Sequence, residues 1–382
     1  MKWLRGVLHV TLSGAATALT AGALIVLDSS AIQAAETSSH TRTFTPEEFG
    51  AAGNGIRNDT KAVQAAIDAA QHRGIVLLPA GKTFRCTHSL LIPSFTTISG
   101  KGATSQLRFT WSAADGPSSG GTYYVGNDHP TRGNRDIDLS NFEVRGDGNG
   151  LPSGPNSLHP EGLAAGVHLR TVSRFIYDRL DIVDVPGISL SFQGSEHGLI
   201  EHNFVHNSGR DGITGTSYTR SLKDITITHN VVDDVGDDGI AINGTPDGTK
   251  ELSVLPTHIT VDDNKVQGWS SNVDGRALGR GIVLHSVTHT SITDNSIANT
   301  YSSGIEIFGA TSDISVIGNS VTGAGLLSIG SSLDIPRQPT DGIDIDGAVA
   351  VVLKSNVSAA NHGANIRVTD CTECSIQNEA PK

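Results

Sequence analysis

Three carboxylates draw attention by their spacing. Asp211 is followed by Gly212-Ile213, and the pair Asp237-Asp238 is followed by Gly239-Ile240. If the two Gly-Ile phrases hold equivalent places in a repeat, Asp211 and Asp238 become neighbours and Asp237 lies beside them. Three ionised carboxylates within a few ångströms repel, so one keeps its proton to higher pH while another ionises. A general acid and a general base need that division. An Asp-Gly step is also a common way into a turn, and Asp341-Gly342 repeats it with no second acid in front. The adjacent pair is the more specific signal, because a turn does not require two like charges side by side.

The phrase itself recurs. It reads Gly166-Val167-His168-Leu169, Gly187-Ile188-Ser189-Leu190, Gly212-Ile213, Gly239-Ile240-Ala241-Ile242, Gly281-Ile282-Val283-Leu284, Gly304-Ile305-Glu306-Ile307 and Gly342-Ile343-Asp344-Ile345. Between the returns lies a second strand pattern ending in Asn, as in Ile225 to Asn230, Ile292 to Asn295 and Ile314 to Asn319. Where loops are short the period is about two dozen residues, too long for a hairpin and suited to one coil of a stacked parallel fold. Each coil then supplies at least two strands and a polar turn. The Ile and the next apolar residue point inward, and the residue between them points out onto a surface ladder. On this reading Gly279-Arg280-Gly281 comes two repeat-lengths after the Asp pair.

Ahead of the repeats, Asn58-Asp59-Thr60 precedes Ala62, Val63, Ala66, Ile67 and Ala70 at helical spacing, so Asn58 or Asp59 caps a short amphipathic helix. Strands follow at Ile75 to Leu78, Leu90 to Ile92 and Thr96 to Ser99. Gly is abundant at 44 residues and aromatics are only 5%, a mix that favours short strands and turns over helices. The formal net charge of −12 excludes a phosphate-binding surface, and no nucleic-acid partner is expected. Lys2 and Arg5, the apolar run from Ala15 to Leu27, and Ala31, Ala34 and Ala35 lay out a secretory signal peptide over residues 1–35. The mature chain is then 36–382, one domain with an N-terminal cap at about 44–105, secreted, without a membrane segment after cleavage and monomeric. Of three cysteines, Cys371 and Cys374 suit a small capping disulfide near the C-terminus and Cys86 is left over.

The segment from Phe49 to Gly100 resembles the N-terminal cap of pectate-lyase-superfamily proteins. Arg210-Asp211-Gly212-Ile213, one rung before Gly236-Asp237-Asp238-Gly239-Ile240, resembles the active-site motifs of polygalacturonase-type glycoside hydrolases and of the α-1,3-glucanase and mycodextranase family. The resemblance implies an all-β, single-stranded right-handed parallel β-helix with a short capping helix. It also implies a secreted glycoside hydrolase acting on a polysaccharide in a groove on the flank. By position, Asp237 would protonate the leaving oxygen and Asp211 and Asp238 would hold and deprotonate water, with inversion at the anomeric carbon.

This chain departs from polygalacturonases in having Gly279-Arg280-Gly281 for their Gly-His-Gly, and Glu306-Ile307-Phe308 for the Arg-Ile-Lys that grips a substrate carboxylate. An acidic groove without that basic pair suits a neutral glycan. Candidate substrate-binding residues are His206, Arg210, Arg280, His285 and Glu306, with Trp269 in an inserted loop able to stack on a sugar ring. Arg210 is the one basic residue adjoining the acids. No cofactor is required; Glu306, Asp344 and Asp346 are hard oxygen ligands that would suit calcium, although a solvated acidic face is the simpler reading. The other histidines, among them His168, His197, His202, His229 and His289, lack metal-ligand spacing and read as surface or turn residues. Two alternatives differ in class. Alginate epimerases resemble this chain in the cap and in His206-Asn207-Ser208-Gly209-Arg210-Asp211-Gly212, although their Asp-Pro-His-Glu motif would fall near Ser189 to Phe192 and is absent. A lyase or C5-epimerase is therefore one alternative, and a non-catalytic glycan-binding rod is the other.

Overall fold

A computed structural model describes residues 41–110, 123–146, 165–217, 220–244, 254–269, 279–325 and 339–378, all within one compact unit, Thr41–Lys382. The leader expected over 1–35 and most of the loops that break the repeat lie outside the described residues. The described chain is a right-handed parallel β-helix. Each coil carries three strands, one more than the minimum read from the sequence. In one coil these are Leu190–Gln193, Glu196–Glu201 and Phe204–Ser208, and the next coil begins at Ile213–Thr216. Each strand pairs in parallel with its counterpart one coil away. Two of the resulting columns join in a 21-stranded array, and the third is a separate ten-stranded sheet from Leu90–Ile92 to Ile366–Thr369.

Three columns of residues explain why the sequence repeats as it does. Ile213, Ile240, Ile282, Ile305 and Ile343 stack at one position of the third sheet, all fully buried. Removing each such side chain from water stabilises the fold by about 1.5–3 kcal/mol. The glycine before each Ile is a packing requirement. A Cβ on Gly212 would sit 2.7 Å from the Gly239 oxygen, and one on Gly239 would sit 2.3 Å from Val266 Cγ1. The third column is the Asn that follows each first-sheet strand. Asn203, Asn230, Asn264, Asn295, Asn319 and Asn356 are buried at one corner, and each Nδ2 donates to the Oδ1 of the next Asn at 2.8 to 3.3 Å. The same amides donate to backbone carbonyls that the bend would otherwise orphan, for example Asn264 Nδ2 to the Ile227 oxygen at 2.9 Å.

Left-handed backbone positions account for five of the histidines. His197, His202, His229, His258 and His289 all have φ between 48° and 56°, the left-handed region that polar residues enter more readily than branched ones. At the N-terminal end the helix Thr60–Ala70 buries Val63, Ala66, Ile67 and Ala70 against the first coils. Asp59 stands at its N-cap position, but its carboxylate accepts from the Ala52 and Gly53 amides instead. Asn58 Oδ1 accepts from the Thr60 amide.

Two register expectations are corrected. Leu190, not Ile188, pairs with Val167 and Ile213, so Ser189 stands where the other coils have Gly and the Gly187-Ile188 likeness is out of step by two residues. Ile240 pairs directly with Ile282, so Arg280 is on the rung next to Asp238; inserted chain, not an extra coil, makes the long return. The outward residues of the third sheet are not a surface ladder either, since Thr214, Ala241, Val283, Glu306 and Asp344 are all buried. Cys371 and Cys374 form a disulfide, and Cys86 is free and buried.

Candidate active site

The strands of the third sheet bring the acids together through the residues just before them. The Gly212 amide donates to the Asp238 oxygen and the Gly239 amide to the Arg280 oxygen, so Asp211, Asp238 and Arg280 stack on three successive rungs. Asp211, Asp237 and Asp238 each offer an oxygen within 4.8 Å of the others. The cluster read from the sequence therefore assembles in space.

Each carboxylate has a different environment. Asp211 is 5% exposed; its Oδ2 accepts from the Thr214 hydroxyl at 2.7 Å, and its buried Oδ1 has no hydrogen-bond donor among the described residues. Asp238 is gripped by Arg280, whose Nε and Nη2 donate to its two oxygens at 2.9 Å each, with the Arg280 amide adding a contact at 3.2 Å. Asp237 lies 3.6 Å from Arg210 Nη2 and keeps 14% of its side chain open to solvent, so a ligand can reach it. Burial, then Asp238, then Asp211, push the Asp237 carboxyl well above the usual carboxylate range. Burial raises Asp238 too, and Arg280 opposes that rise. Arg210 is held protonated chiefly by Asp211. Burial works against the charge on Arg280, but Asp238 and Glu306 outweigh it and hold it protonated.

The substrate-binding candidates separate. Glu306 joins the cluster through Arg280 Nη1 at 3.6 Å, and burial lifts its carboxyl to about 7. His285 lies one rung beyond Asn243 and stacks on Phe308 with ring centroids 4.4 Å apart. His206 is elsewhere: its ring sits in the second sheet, 3.4 Å from Asp233 and stacked on Phe204. Trp269 is the last residue of the strand Lys265–Trp269, its backbone opposite Val235, and the stacking expected of its side chain lies outside the described residues. Arg210 is not the one basic residue adjoining the acids, as expected from the sequence, since Arg280 is buried against Asp238 as well. The acidic face expected at Glu306, Asp344 and Asp346 is not one solvated group: Glu306 and Asp344 are buried, Arg367 donates to Asp344, and Asp346 is exposed. A cation could find oxygens at the three-Asp cluster, but two guanidinium groups already supply positive charge there.

Sequence reasoning missed Thr214 as the donor to Asp211. It also missed a pair on the preceding rungs, where His168 Nδ1 meets the Ser191 hydroxyl at 2.9 Å and the His168 ring stacks on Tyr123 with centroids 5.7 Å apart. His168, Ser191 and Thr214 are successive residues of the outward column. Correct register at Leu190 is the signal that would have aligned them.

Comparisons with known proteins support the fold and the family. Residues 46–245 match the family model described as rhamnogalacturonase A/epimerase, pectate lyase-like, and residues 165–335 match that of the right-handed beta helix region. Among solved structures, the A-module of an Azotobacter vinelandii mannuronan C-5 epimerase superposes with a TM-score of 0.59 at 14% identity, over 88% of this chain and 97% of that one. An exopolygalacturonase from Thermotoga maritima gives 0.56 at 15%, over 86% and 88%. Tailspike protein 2 of an Escherichia coli O157:H7 bacteriophage gives 0.61 at 16%, over 89% and 42%. At these identities the likeness is one of fold. A stretch of 52 residues is 50% identical to a capsule KN3-specific depolymerase of Klebsiella phage KN3-1, spanning 13% of this chain and 7% of that protein.

Proposed function

The chain belongs to the rhamnogalacturonase A/epimerase, pectate lyase-like family, and on that footing we propose that it is a secreted glycoside hydrolase that cuts a polysaccharide at the Asp211, Asp237 and Asp238 cluster. The observation that carries this reading is the unequal treatment of three carboxylates that lie within 4.8 Å of one another. Asp237, whose proton burial and two like charges hold on, donates it to the glycosidic oxygen as the bond to the anomeric carbon breaks. Asp211 accepts a proton from the attacking water at Oδ1, the oxygen that Thr214 leaves open. The sum is the addition of one water across the bond. Asp238 has both oxygens in the Arg280 fork, which suits a fixed negative charge beside the developing oxocarbenium ion better than a base. Both arginines are engaged by acids, and Glu306 adds a further acid, so a neutral glycan is the favoured substrate. Among the described residues no helix is long and apolar enough to cross a membrane.

The second reading is a lyase or C5-epimerase, favoured by the two guanidinium groups at the cluster. Its weakness is that a lyase base must accept a proton, and Asp238 and Glu306 hold Arg280 in its charged form. Reducing-end release and ultraviolet absorbance of unsaturated product, measured together on neutral glucans, pectins and alginates, separate the readings. Release without absorbance, abolished in Asp237→Asn, supports the hydrolase. Absorbance identifies a lyase, and C5 inversion without chain cleavage identifies an epimerase. Inactivity on every polymer would sink the enzymatic reading.

A further inference from the structure

Away from the third sheet, the outer face of the first sheet gathers a second set of ligand atoms. Asp178 and Glu201 end the strands Val172–Asp178 and Glu196–Glu201 and pair across adjacent rungs. Their neighbours Tyr177 and Ile200 are fully buried, so the two carboxylates point outward, beside the corner that buries Asn203. His202 follows at φ 56°, and this left-handed step breaks the alternation of strand side chains and brings its ring to the same side as Glu201. His202 Nδ1 then lies 3.6 Å from Asp178 Oδ1 and 3.6 Å from Glu201 Oε2, and the three residues each offer an atom within 4.8 Å of the others. Those separations are too long for hydrogen bonds. They come close to the distance of about 3.4 Å between two ligands of a tetrahedral zinc with bonds of about 2.1 Å. Asp178 Oδ1 is itself buried and has no hydrogen-bond partner among the described residues.

We propose that Asp178, Glu201 and His202 bind one divalent cation of the zinc class, which staples two successive coils at this corner. One imidazole nitrogen and two carboxylate oxygens suit a borderline metal, whereas calcium takes oxygen alone. The side chain of His202 is 42% exposed, which leaves the fourth position to water. The charge balance favours a cation. Asp138 lies on the same face, two residues before the rung neighbour of Asp178, and burial and then the Asp178 charge raise its carboxyl above the usual range. Arg179, which donates to Asp178 Oδ2, is the guanidinium among these groups. Three carboxylates against one guanidinium leave two negative charges, the complement of one divalent ion. The Asp211 cluster differs, since two guanidinium groups face its three acids. His229 steadies the imidazole: it stacks on His202 with centroids 5.1 Å apart, and its Nε2 lies 3.1 Å from Asp263. Sequence spacing hides the set because Asp178 comes from the preceding coil. The site lies on another sheet from the acid cluster, so the proposal does not rest on the hydrolase reading.

The test titrates zinc chloride into the untagged full chain, stripped of metal with a chelator, and follows the heat near neutral pH. One equivalent should bind with a Kd of about 1 µM or tighter. Asp178→Asn and His202→Asn should each weaken that binding about tenfold or more. Asn keeps the shape at 178 and tolerates the left-handed backbone at 202, so both variants should fold. His289→Asn is the control: His289 also has a left-handed backbone and lies 3.5 Å from Asp313, and its loss should leave the affinity unchanged. Zinc should raise the thermal unfolding midpoint of the wild type and move that of His202→Asn far less. An excess of calcium of about a thousandfold should not displace the zinc. No zinc uptake by the wild type, uptake undiminished in Asp178→Asn and His202→Asn, an equal loss in His289→Asn, or displacement by calcium would each overturn the site.

Discussion

Asp237 concentrates the chemistry because its neighbours make its proton hard to lose. Substitution by Asn keeps the shape and removes the transferable proton, so kcat should fall by about 10²–10⁴ while oligosaccharide binding persists. In the wild type, activity should decline as pH rises through the elevated Asp237 pKa. Arg280 tests a different property. Its side chain is 9% exposed and that of Asp238 7%, so Arg280→Ala leaves a buried charge without its partner. Urea unfolding should show a loss of about 3–5 kcal/mol, and Arg280→Lys should recover only part of it, lacking the fork. Glu306 sets a pH window. Its folded pKa of about 7 stands above the ordinary value of 4.5, so the folded state binds the extra proton. Its contribution to stability is therefore complete below about 4.5 and is lost as pH rises toward about 7. Glu306→Gln should flatten unfolding free energy across that window, and an unchanged slope would mean that another group carries it.

At the scale of elements, the third sheet sets the spacing of the acids and the Asn corner sets the spacing of the coils. Asn264 Oδ1 accepts from the Asn230 amide at 3.0 Å and from Asn230 Nδ2 at 2.9 Å, and its own Nδ2 holds the Ile227 oxygen. Asn264→Ala would strand these buried groups, each costing about 1–3 kcal/mol. The unfolding midpoint should drop well below that of a substitution at exposed Phe204, and equal midpoints would make the ladder incidental. Much of this scale was legible. The Gly-Ile phrases marked the third sheet, the Asn returns marked the corner, and the spacing of Val63, Ala66, Ile67 and Ala70 marked the capping helix. The second-sheet strands such as Val231–Val235 were not, because three to five residues with one inward side chain or two carry too short a pattern to read.

At the scale of the whole molecule, a stack of coils contacts itself only through nearest neighbours, so distant features should act independently. The disulfide between Cys371 and Cys374 closes a loop of sequence separation three, which restricts the unfolded chain little, and it lies several rungs beyond the acids. Reduction should leave glycan cleavage unchanged; a parallel loss of activity would show that the last coils are coupled to the site.

The sequence by itself determined the stacked parallel fold, its inward aliphatic column and the meeting of Asp211 with Asp237 and Asp238, because a repeated phrase fixes which residues share a rung. Only the tertiary structure decided what surrounds them. Arg280 is 42 residues from Asp238 and reads as remote, yet inserted chain leaves the rung count unchanged and puts its guanidinium in a bidentate bond with that carboxylate. His206 is five residues from Asp211 and reads as near, yet it belongs to the second-sheet strand Phe204–Ser208, and the chain turns only after Ser208, which leaves His206 beside Asp233. In a coiled stack, proximity follows rung and face, and sequence distance reports neither once loops vary in length.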